Sequence, residues 1–117
     1  MKRFLLAVFA SSALSLAYAH TKLATSTPAA GASVSAPKEL VLEFGGDVRL
    51  TALSLTAASG AEVKLDPLPT AVGNKFVLAV LEPLTPGEYV ATWRAVGGDT
   101  HIVSGEIRFT VAAAPSH

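Results

Sequence analysis

The side chains best suited to chemistry lie near the C-terminal end of the sequence, within the stretch WRAVGGDTHIVSGEIRFTV at residues 93–111. Gly97 and Gly98 interrupt a predicted strand there, and Asp99 and His101 follow with one residue between them. Because side chains two residues apart in extended chain point to the same side, the pattern predicts a carboxylate and an imidazole presented together. Such a pair can bind a metal ion, although this spacing is more often that of a hydrogen-bonded surface pair.

A third candidate ligand, His20, follows an N-terminal segment with the pattern of a signal peptide. Residues 1–3 carry two positive charges, residues 4–16 form an apolar run of 13 residues, and residues 17–19 (AYA) match the small-x-small pattern that signal peptidase recognises. The run is shorter than the roughly 20 apolar residues that a membrane-spanning helix needs, which disfavours an uncleaved anchor. We therefore expect residues 1–19 to be removed after Ala19, so that the mature protein begins at His20.

A mature chain that begins with histidine has a donor set that no internal histidine has. The α-amine and the imidazole of His20 can bind one metal ion together, and the amine, with a reference pKa of about 7.7–8.0, loses its proton readily to a strongly binding metal. With the imidazole of His101 and the carboxylate of Asp99, the site would have three nitrogens and one oxygen. A tetragonal set of this kind favours Cu(II). The sequence therefore predicts one Cu(II) per chain, bound by His20, Asp99 and His101.

Composition narrows the possible functions. The sequence has no cysteine and a single methionine, which would leave with the signal peptide, so a sulfur site for Cu(I) is not expected. Without Lys2 and Arg3, seven basic and nine acidic residues remain, which does not suggest a surface for nucleic acid or membrane. We expect one domain over residues 20–117, with a loose tail from about residue 112 that ends in a solvated His117.

The pattern of apolar residues predicts the fold. Short alternating runs separated by turn residues, without a long helical pattern, occupy the 98 residues left after cleavage (117 minus 19). About seven such runs predict an all-β protein, an immunoglobulin-like Greek-key β-sandwich or barrel. The predicted strands cover residues 21–26, 40–44, 53–55, 63–65, 76–81, 88–96 and 105–111.

Several details sharpen this prediction. Gly45-Gly46 is expected to end the second strand, and Ser59-Gly60 to turn the chain into a hairpin. The run at residues 76–81 is nearly all apolar and is expected to be buried on both faces. Tyr89 and Trp93, which have the same parity on one strand, are expected in the core. Thr100, between the predicted ligands, could hydrogen-bond near the metal or simply be a turn residue.

The sequence resembles the periplasmic copper-resistance carriers of the CopC type over essentially the whole predicted mature chain. Beyond His20, the resemblance is carried by STPAxG at residues 26–31, LxLxF at 40–44, LxxGxYxxxW at 84–93 and DTHxxxGxxxFxV at 99–111. It implies a small immunoglobulin-like (cupredoxin-like) sandwich that binds Cu(II) through an N-terminal histidine brace, with His20, Asp99 and His101 as ligands. It also implies copper transfer within the periplasm, with a separate inner-membrane copper-transport protein as a partner.

Two departures from the family pattern matter. Members with a second site carry a methionine-rich loop for Cu(I), whereas residues 61–75 contain no methionine, so only the Cu(II) site is implied. Members also often carry an acidic residue near the copper, shortly after the strand that ends at the Phe44 position. Here the corresponding residues are Gly45-Gly46-Asp47, and Asp47 could take that role or could face solvent.

Two other functions remain open on the sequence alone. Histidine-brace copper also occurs in polysaccharide-cleaving monooxygenases, but these need access to Cu(I) and a flat substrate face, and a carboxylate ligand disfavours Cu(I). A metal-free sandwich used for adhesion or as a periplasmic partner module would make the Asp99–His101 pair incidental. We favour a monomeric Cu(II) carrier for copper homeostasis and resistance that is not an enzyme.

Overall fold

The computed structural model describes residues 22–113. This part of the chain contains seven β-strands. No helix long and apolar enough to cross a membrane occurs in that range. The strands are β1 Leu23–Thr27, β2 Ser33–Val34, β3 Glu39–Ala57, β4 Glu62–Val63, β5 Gly73–Ala79, β6 Gly87–Gly97 and β7 Ile102–Val111. The predicted signal peptide, His20 and His117 lie outside the described residues.

Strand β3 is the longest strand and connects the two halves of the fold. Its first part, residues 39–43, lies between β1 and β5. Its second part, residues 48–57, pairs with β6 along its length and with β4 near its end. β7 follows β6 in the sheet, and the short β2 pairs in parallel with the end of β7. The result is one curled sheet of seven strands, which confirms the predicted all-β sandwich or barrel.

The prediction that Gly45-Gly46 ends a strand is wrong. β3 runs through both glycines, but its ladder with β5 is irregular between Glu43 and Val48. Extra residues on one strand of a ladder bend that strand, and glycine has no side chain to oppose the bend. The chain therefore passes from one half of the curled sheet to the other without leaving β3.

Alternation along β6 and β7 places one face of each strand in the core, and the predicted burial of Tyr89 and Trp93 is confirmed. The indole of Trp93 packs edge-on against Phe44, with ring centroids 5.2 Å apart. Across the β6–β7 ladder it faces Gly105, where a β-carbon would lie 2.9 Å from the indole. The core consists of Leu40, Leu42, Phe44, Val48, Leu50, Leu55, Phe76, Leu78, Leu84, Tyr89, Ala91, Trp93, Ala95, Ile107, Phe109 and Val111.

The prediction that residues 76–81 are buried on both faces is also wrong. β5 ends at Ala79, and within it Phe76 and Leu78 are buried whereas Val77 is 49% exposed. The alternation shows that only one face of β5 is covered by the core, as is common in antiparallel sheets.

Two turns connect the strands through specific local interactions. The predicted hairpin at Ser59-Gly60 is confirmed, since Gly60 has a φ of 95° and Thr56 pairs with Glu62 across the turn. Before β6, the hydroxyl of Tyr89 donates to the carbonyl oxygen of Thr85 at 2.8 Å and accepts from the backbone N–H of Thr85 at 3.1 Å. This arrangement resembles the tyrosine corner of Greek-key sandwiches and fixes the start of β6.

Candidate metal centre

Asp99 and His101 lie in the tight turn that joins β6 to β7. The backbone N–H of Gly97 donates to the carbonyl oxygen of His101 at 2.9 Å, and the N–H of Thr100 donates to the carbonyl oxygen of Gly97 at 3.0 Å. Thr100 has a φ of 68°, in the left-handed region. A turn followed by one left-handed residue is a common way to close a short hairpin.

The structure brings the predicted carboxylate and imidazole together, but not through extended chain as expected. Instead, the turn bends so that the carboxylate of Asp99 reaches His101. Its Oδ1 accepts from the backbone N–H of His101 at 3.1 Å, and its Oδ2 lies 3.1 Å from Nδ1 of the ring. The two side chains are 59% and 66% exposed, so a metal ion can reach both from solvent.

Hydrogen bonds hold the pKa of Asp99 below its usual value. The largest cause is the backbone N–H of His101; desolvation opposes it, and the His101 ring adds a hydrogen bond and a favourable charge interaction. Asp99 is therefore ionised at neutral pH and can bind a metal without first losing a proton. Because folding lowers the pKa of Asp99, its ionised carboxylate stabilises the folded protein above about pH 3.9, the ordinary pKa of an aspartate. This stabilisation is lost as the pH falls through the lower pKa of the folded state.

The spacing of Asp99 and His101 suits a single metal ion. Two ligands about 2.0–2.1 Å from a metal and at right angles to each other are about 2.8–3.0 Å apart. Oδ2 and Nδ1 are separated by 3.1 Å, so a small movement would let both bind one ion. In a second possible arrangement, Nδ1–H would keep its hydrogen bond to the carboxylate and orient the ring, so that Nε2 would be the atom offered to an ion.

The described residues supply two of the three predicted ligands. Within residues 22–113, no group of three or more His, Cys, Asp or Glu side chains is arranged to hold a metal ion. The third predicted ligand, His20, lies outside that range. One oxygen and one nitrogen would fill only half of the predicted tetragonal Cu(II) set, so a tight site at this turn would need further donors.

A shallow groove connects the start of the described chain to the strand that follows the turn. The groove has a volume of about 320 Å³ and is lined by Lys22, Leu23, Trp93, Val103 and Ser104. Val103 comes two residues after His101, and Lys22 is the first described residue. This N-terminal groove therefore places the beginning of β1 next to the turn-proximal part of β7.

Asp47 lies at the same end of the molecule but does not contact the pair. The next residue, Val48, pairs with Gly97, so Asp47 comes close to the first residues of the turn. Its side chain is exposed, and among the described residues no hydrogen bond joins it to Asp99 or His101.

The left-handed backbone of Thr100 was not predicted. Hairpins closed by one left-handed residue usually place glycine or asparagine at that position. The short loop between β6 and β7 was the only signal in the sequence for a left-handed residue. The threonine at position 100 argued against placing that residue there. The Oγ1 of Thr100 donates to the carbonyl oxygen of Asp99, so both its backbone and its side chain belong to the turn.

Comparison with known proteins shows which family the sequence matches. Residues 23–112 match the family model described as the CopC domain. A copper resistance protein C from Xanthomonas campestris pv. juglandis is 34% identical over 113 residues, which cover 89% of each chain. Another from Pseudomonas syringae pv. tomato is 36% identical over 105 residues, which cover 82% of this chain and 83% of the relative. Both names describe resistance proteins rather than enzymes, in agreement with the prediction of a non-enzyme.

Two crystal structures share the fold, each with a TM-score of 0.62. PcoC from Escherichia coli, described as a methionine-rich copper resistance protein, is 35% identical and covers 80% of this chain and 99% of its own. CopC from Methylosinus trichosporium OB3b is 26% identical and covers 84% of this chain and 99% of its own. In contrast to the methionine-rich PcoC, this sequence has methionine only at position 1.

Proposed function

Because the chain belongs to the CopC family of copper-resistance proteins, we propose that it is a periplasmic carrier of Cu(II) that serves copper homeostasis and resistance. Family membership supports copper as the cargo. The oxidation state and the ligands are proposed from the residues of this chain, and the compartment is proposed from the predicted signal peptide.

The observation that carries the proposal is the exposed Asp99–His101 pair in the β6–β7 turn. A carboxylate oxygen and an imidazole nitrogen lie 3.1 Å apart there. Oxygen and nitrogen donors bind Cu(II) in preference to Cu(I), which favours sulfur ligands. Both side chains are more than half exposed, so a partner protein could approach a bound ion directly. Access of this kind suits a carrier, which must release its cargo as well as bind it.

We propose that His20 completes the site. After cleavage behind Ala19, its α-amine and imidazole would add two nitrogens to the donors of Asp99 and His101. The position of Lys22 in the N-terminal groove supports this, because a residue two positions earlier in the chain can lie at most about 7 Å from it. The complete set would hold one Cu(II) with three nitrogens and one oxygen.

The same donor set favours transport over redox chemistry. The sequence has no cysteine, and its one methionine lies in the predicted signal peptide, so no sulfur ligand would stabilise Cu(I) in the mature protein. A carrier needs a recipient, and we propose a separate inner-membrane copper-transport protein for that role. The carrier itself would act as a monomer.

The free amine of His20 provides the sharpest test. A protein that begins at His20 would be compared with one that has a single glycine added before it. Each would be titrated with Cu(II) against a competing chelator, and an electron paramagnetic resonance (EPR) spectrum would be recorded at one equivalent. We expect the added glycine to weaken binding at least about a hundredfold and to change the spectrum, because two of four donors are disturbed.

His117→Ala is the matched control, because it removes a histidine that the proposal does not use and should leave affinity and spectrum unchanged. Equal, weak binding by the two N-terminal versions would show that His20 is not a ligand, and would favour a metal-free sandwich module. Peroxide production driven by ascorbate, above the level of free copper, would favour a copper enzyme instead.

A further inference from the structure

Thr100 combines two properties that rarely occur in one residue. Its φ of 68° lies in the left-handed region, and its side chain is β-branched, which makes that conformation unfavourable. Among residues 22–113, every other residue with a positive φ in the left-handed range is a glycine. The exception falls between Asp99 and His101, the two described residues proposed to bind copper.

The left-handed backbone at Thr100 determines how Asp99 and His101 meet. The N–H of Thr100 closes the turn by donating to the carbonyl oxygen of Gly97. The left-handed backbone at Thr100 then reverses the chain direction, so that the carbonyl oxygen of His101 accepts from the N–H of Gly97. On this path the Asp99 carboxylate contacts both the backbone N–H and the ring nitrogen of His101. A different φ at Thr100 would rotate His101 away from Asp99 and lengthen the 3.1 Å approach.

Turn stability alone does not explain a threonine here, because glycine adopts this φ without strain. Threonine adds restriction instead. The restriction comes from its β-branched side chain, which leaves few conformations open. Its Oγ1 donates to the carbonyl oxygen of the adjacent Asp99, a contact within the turn that does not reach His101. Strained residues that are held in place by their surroundings concentrate at sites where geometry serves function.

We propose that Thr100 is a positioning residue that holds Asp99 and His101 at a copper-binding separation before the ion arrives, with some loss of turn stability. This role deepens the proposed Cu(II)-carrier function and rests on it. Ligands that are ordered in advance lose less conformational entropy when they bind, so the restriction should appear as copper affinity.

Thr100→Gly and Thr100→Val separate the restriction from the hydroxyl. Glycine keeps the left-handed φ accessible and removes the restriction, whereas valine keeps the β-branch and loses only the hydroxyl. We expect Thr100→Gly to bind Cu(II) roughly threefold to fivefold more weakly, with a broadened EPR spectrum. Without copper, its melting temperature should equal or exceed that of the unsubstituted protein. We expect Thr100→Val to retain the native spectrum and to bind within about twofold of the native affinity.

A measurement without metal tests the ordering of the turn directly. Nuclear magnetic resonance relaxation of the backbone amides of residues 98–102 reports motion on the picosecond to nanosecond timescale. We expect greater motion in Thr100→Gly than in the unsubstituted protein or in Thr100→Val. A glycine variant with native affinity, native spectrum and a native, ordered turn would overturn the proposal. If the unsubstituted protein does not bind Cu(II), the carrier function fails, and the relaxation data alone decide whether Thr100 orders the pair.

Discussion

Asp99 has two separable roles at the scale of a single residue. Its Oδ1 accepts from the backbone N–H of His101 and thereby shapes the turn, while its Oδ2 places a negative charge beside Nδ1 of the ring. An amide oxygen could replace the carboxylate in the first role but could not supply the charge for the second. Asp99→Asn therefore distinguishes a ligand from a turn residue.

We expect Asp99→Asn to weaken Cu(II) binding at least about tenfold, because a coordinating or orienting carboxylate is lost. Asp47→Asn is the matched control, since it makes the same change in charge at the same end of the molecule without a hydrogen bond to the pair. It should change the affinity less than about threefold. Chelator competition at constant ionic strength measures both. Equal losses in the two variants would assign the effect to net charge or would give Asp47 an equal part in the site.

The identity of the Asp99–His101 pair was predictable from the sequence, whereas its geometry was not. Residue types and spacing are local properties and can be read directly. The conformation that joins the two residues depends on Thr100, whose left-handed backbone contradicts the local preference of a β-branched residue. His20 is a prediction of another kind, because its role depends on cleavage and it lies outside residues 22–113.

At the scale of elements, the β6–β7 hairpin that carries the turn is packed around Trp93 and Gly105. The two residues pair directly across the ladder, and a β-carbon at Gly105 would lie 2.9 Å from Cζ2 and 3.1 Å from Nε1 of the indole. The indole also packs against Phe44 of β3. Nε1 is buried without a hydrogen-bond partner among the described residues, so apolar packing fixes the ring.

We expect Gly105→Ala to lower the free energy of unfolding by about 1–3 kcal/mol, because the added methyl group forces the indole against its neighbours. Gly98→Ala is the matched control on the same hairpin, since a β-carbon there meets nothing within 4 Å. It should stay within about 0.5 kcal/mol of the unsubstituted protein. Urea denaturation followed by the fluorescence of Trp93 gives both values. Equal stability of the two variants would show that the indole has room to shift.

The strands were predictable from the sequence where the pattern is local. The alternation in β6 and β7 placed Tyr89 and Trp93 in the core without reference to other strands. β3 was instead divided in two at Gly45-Gly46, because paired glycines usually mark a strand end and only the pairing with neighbouring strands shows its continuity. The predicted burial of Val77 was wrong for a related reason, since a β-branched residue suits either the buried or the exposed face of a strand.

At the scale of the whole molecule, the proposed site would connect parts of the chain that are far apart in the sequence and in the sheet order but meet at the N-terminal groove. β1 is an outer strand of the sheet order, whereas the Asp99–His101 turn joins β6 to β7 in the other part of the sheet. A copper ion bound by His20 together with this turn would join the start of the mature chain to its last hairpin. The sequence has no cysteine, so no disulfide could make such a connection. Because only the folded chain brings these ligands together, copper should stabilise the fold.

We expect one Cu(II) to raise the melting temperature of the protein that begins at His20. At free copper a hundredfold above the dissociation constant, the gain is about 2.7 kcal/mol, or roughly 10–20 °C for a domain of this size. A strong chelator should reverse it. The version with a glycine before His20 should gain far less at the same free copper, and Cu(I) should give no comparable gain because the site has no sulfur. An equal shift in both versions would mean that copper binds without the chain start, and would exclude the proposed connection.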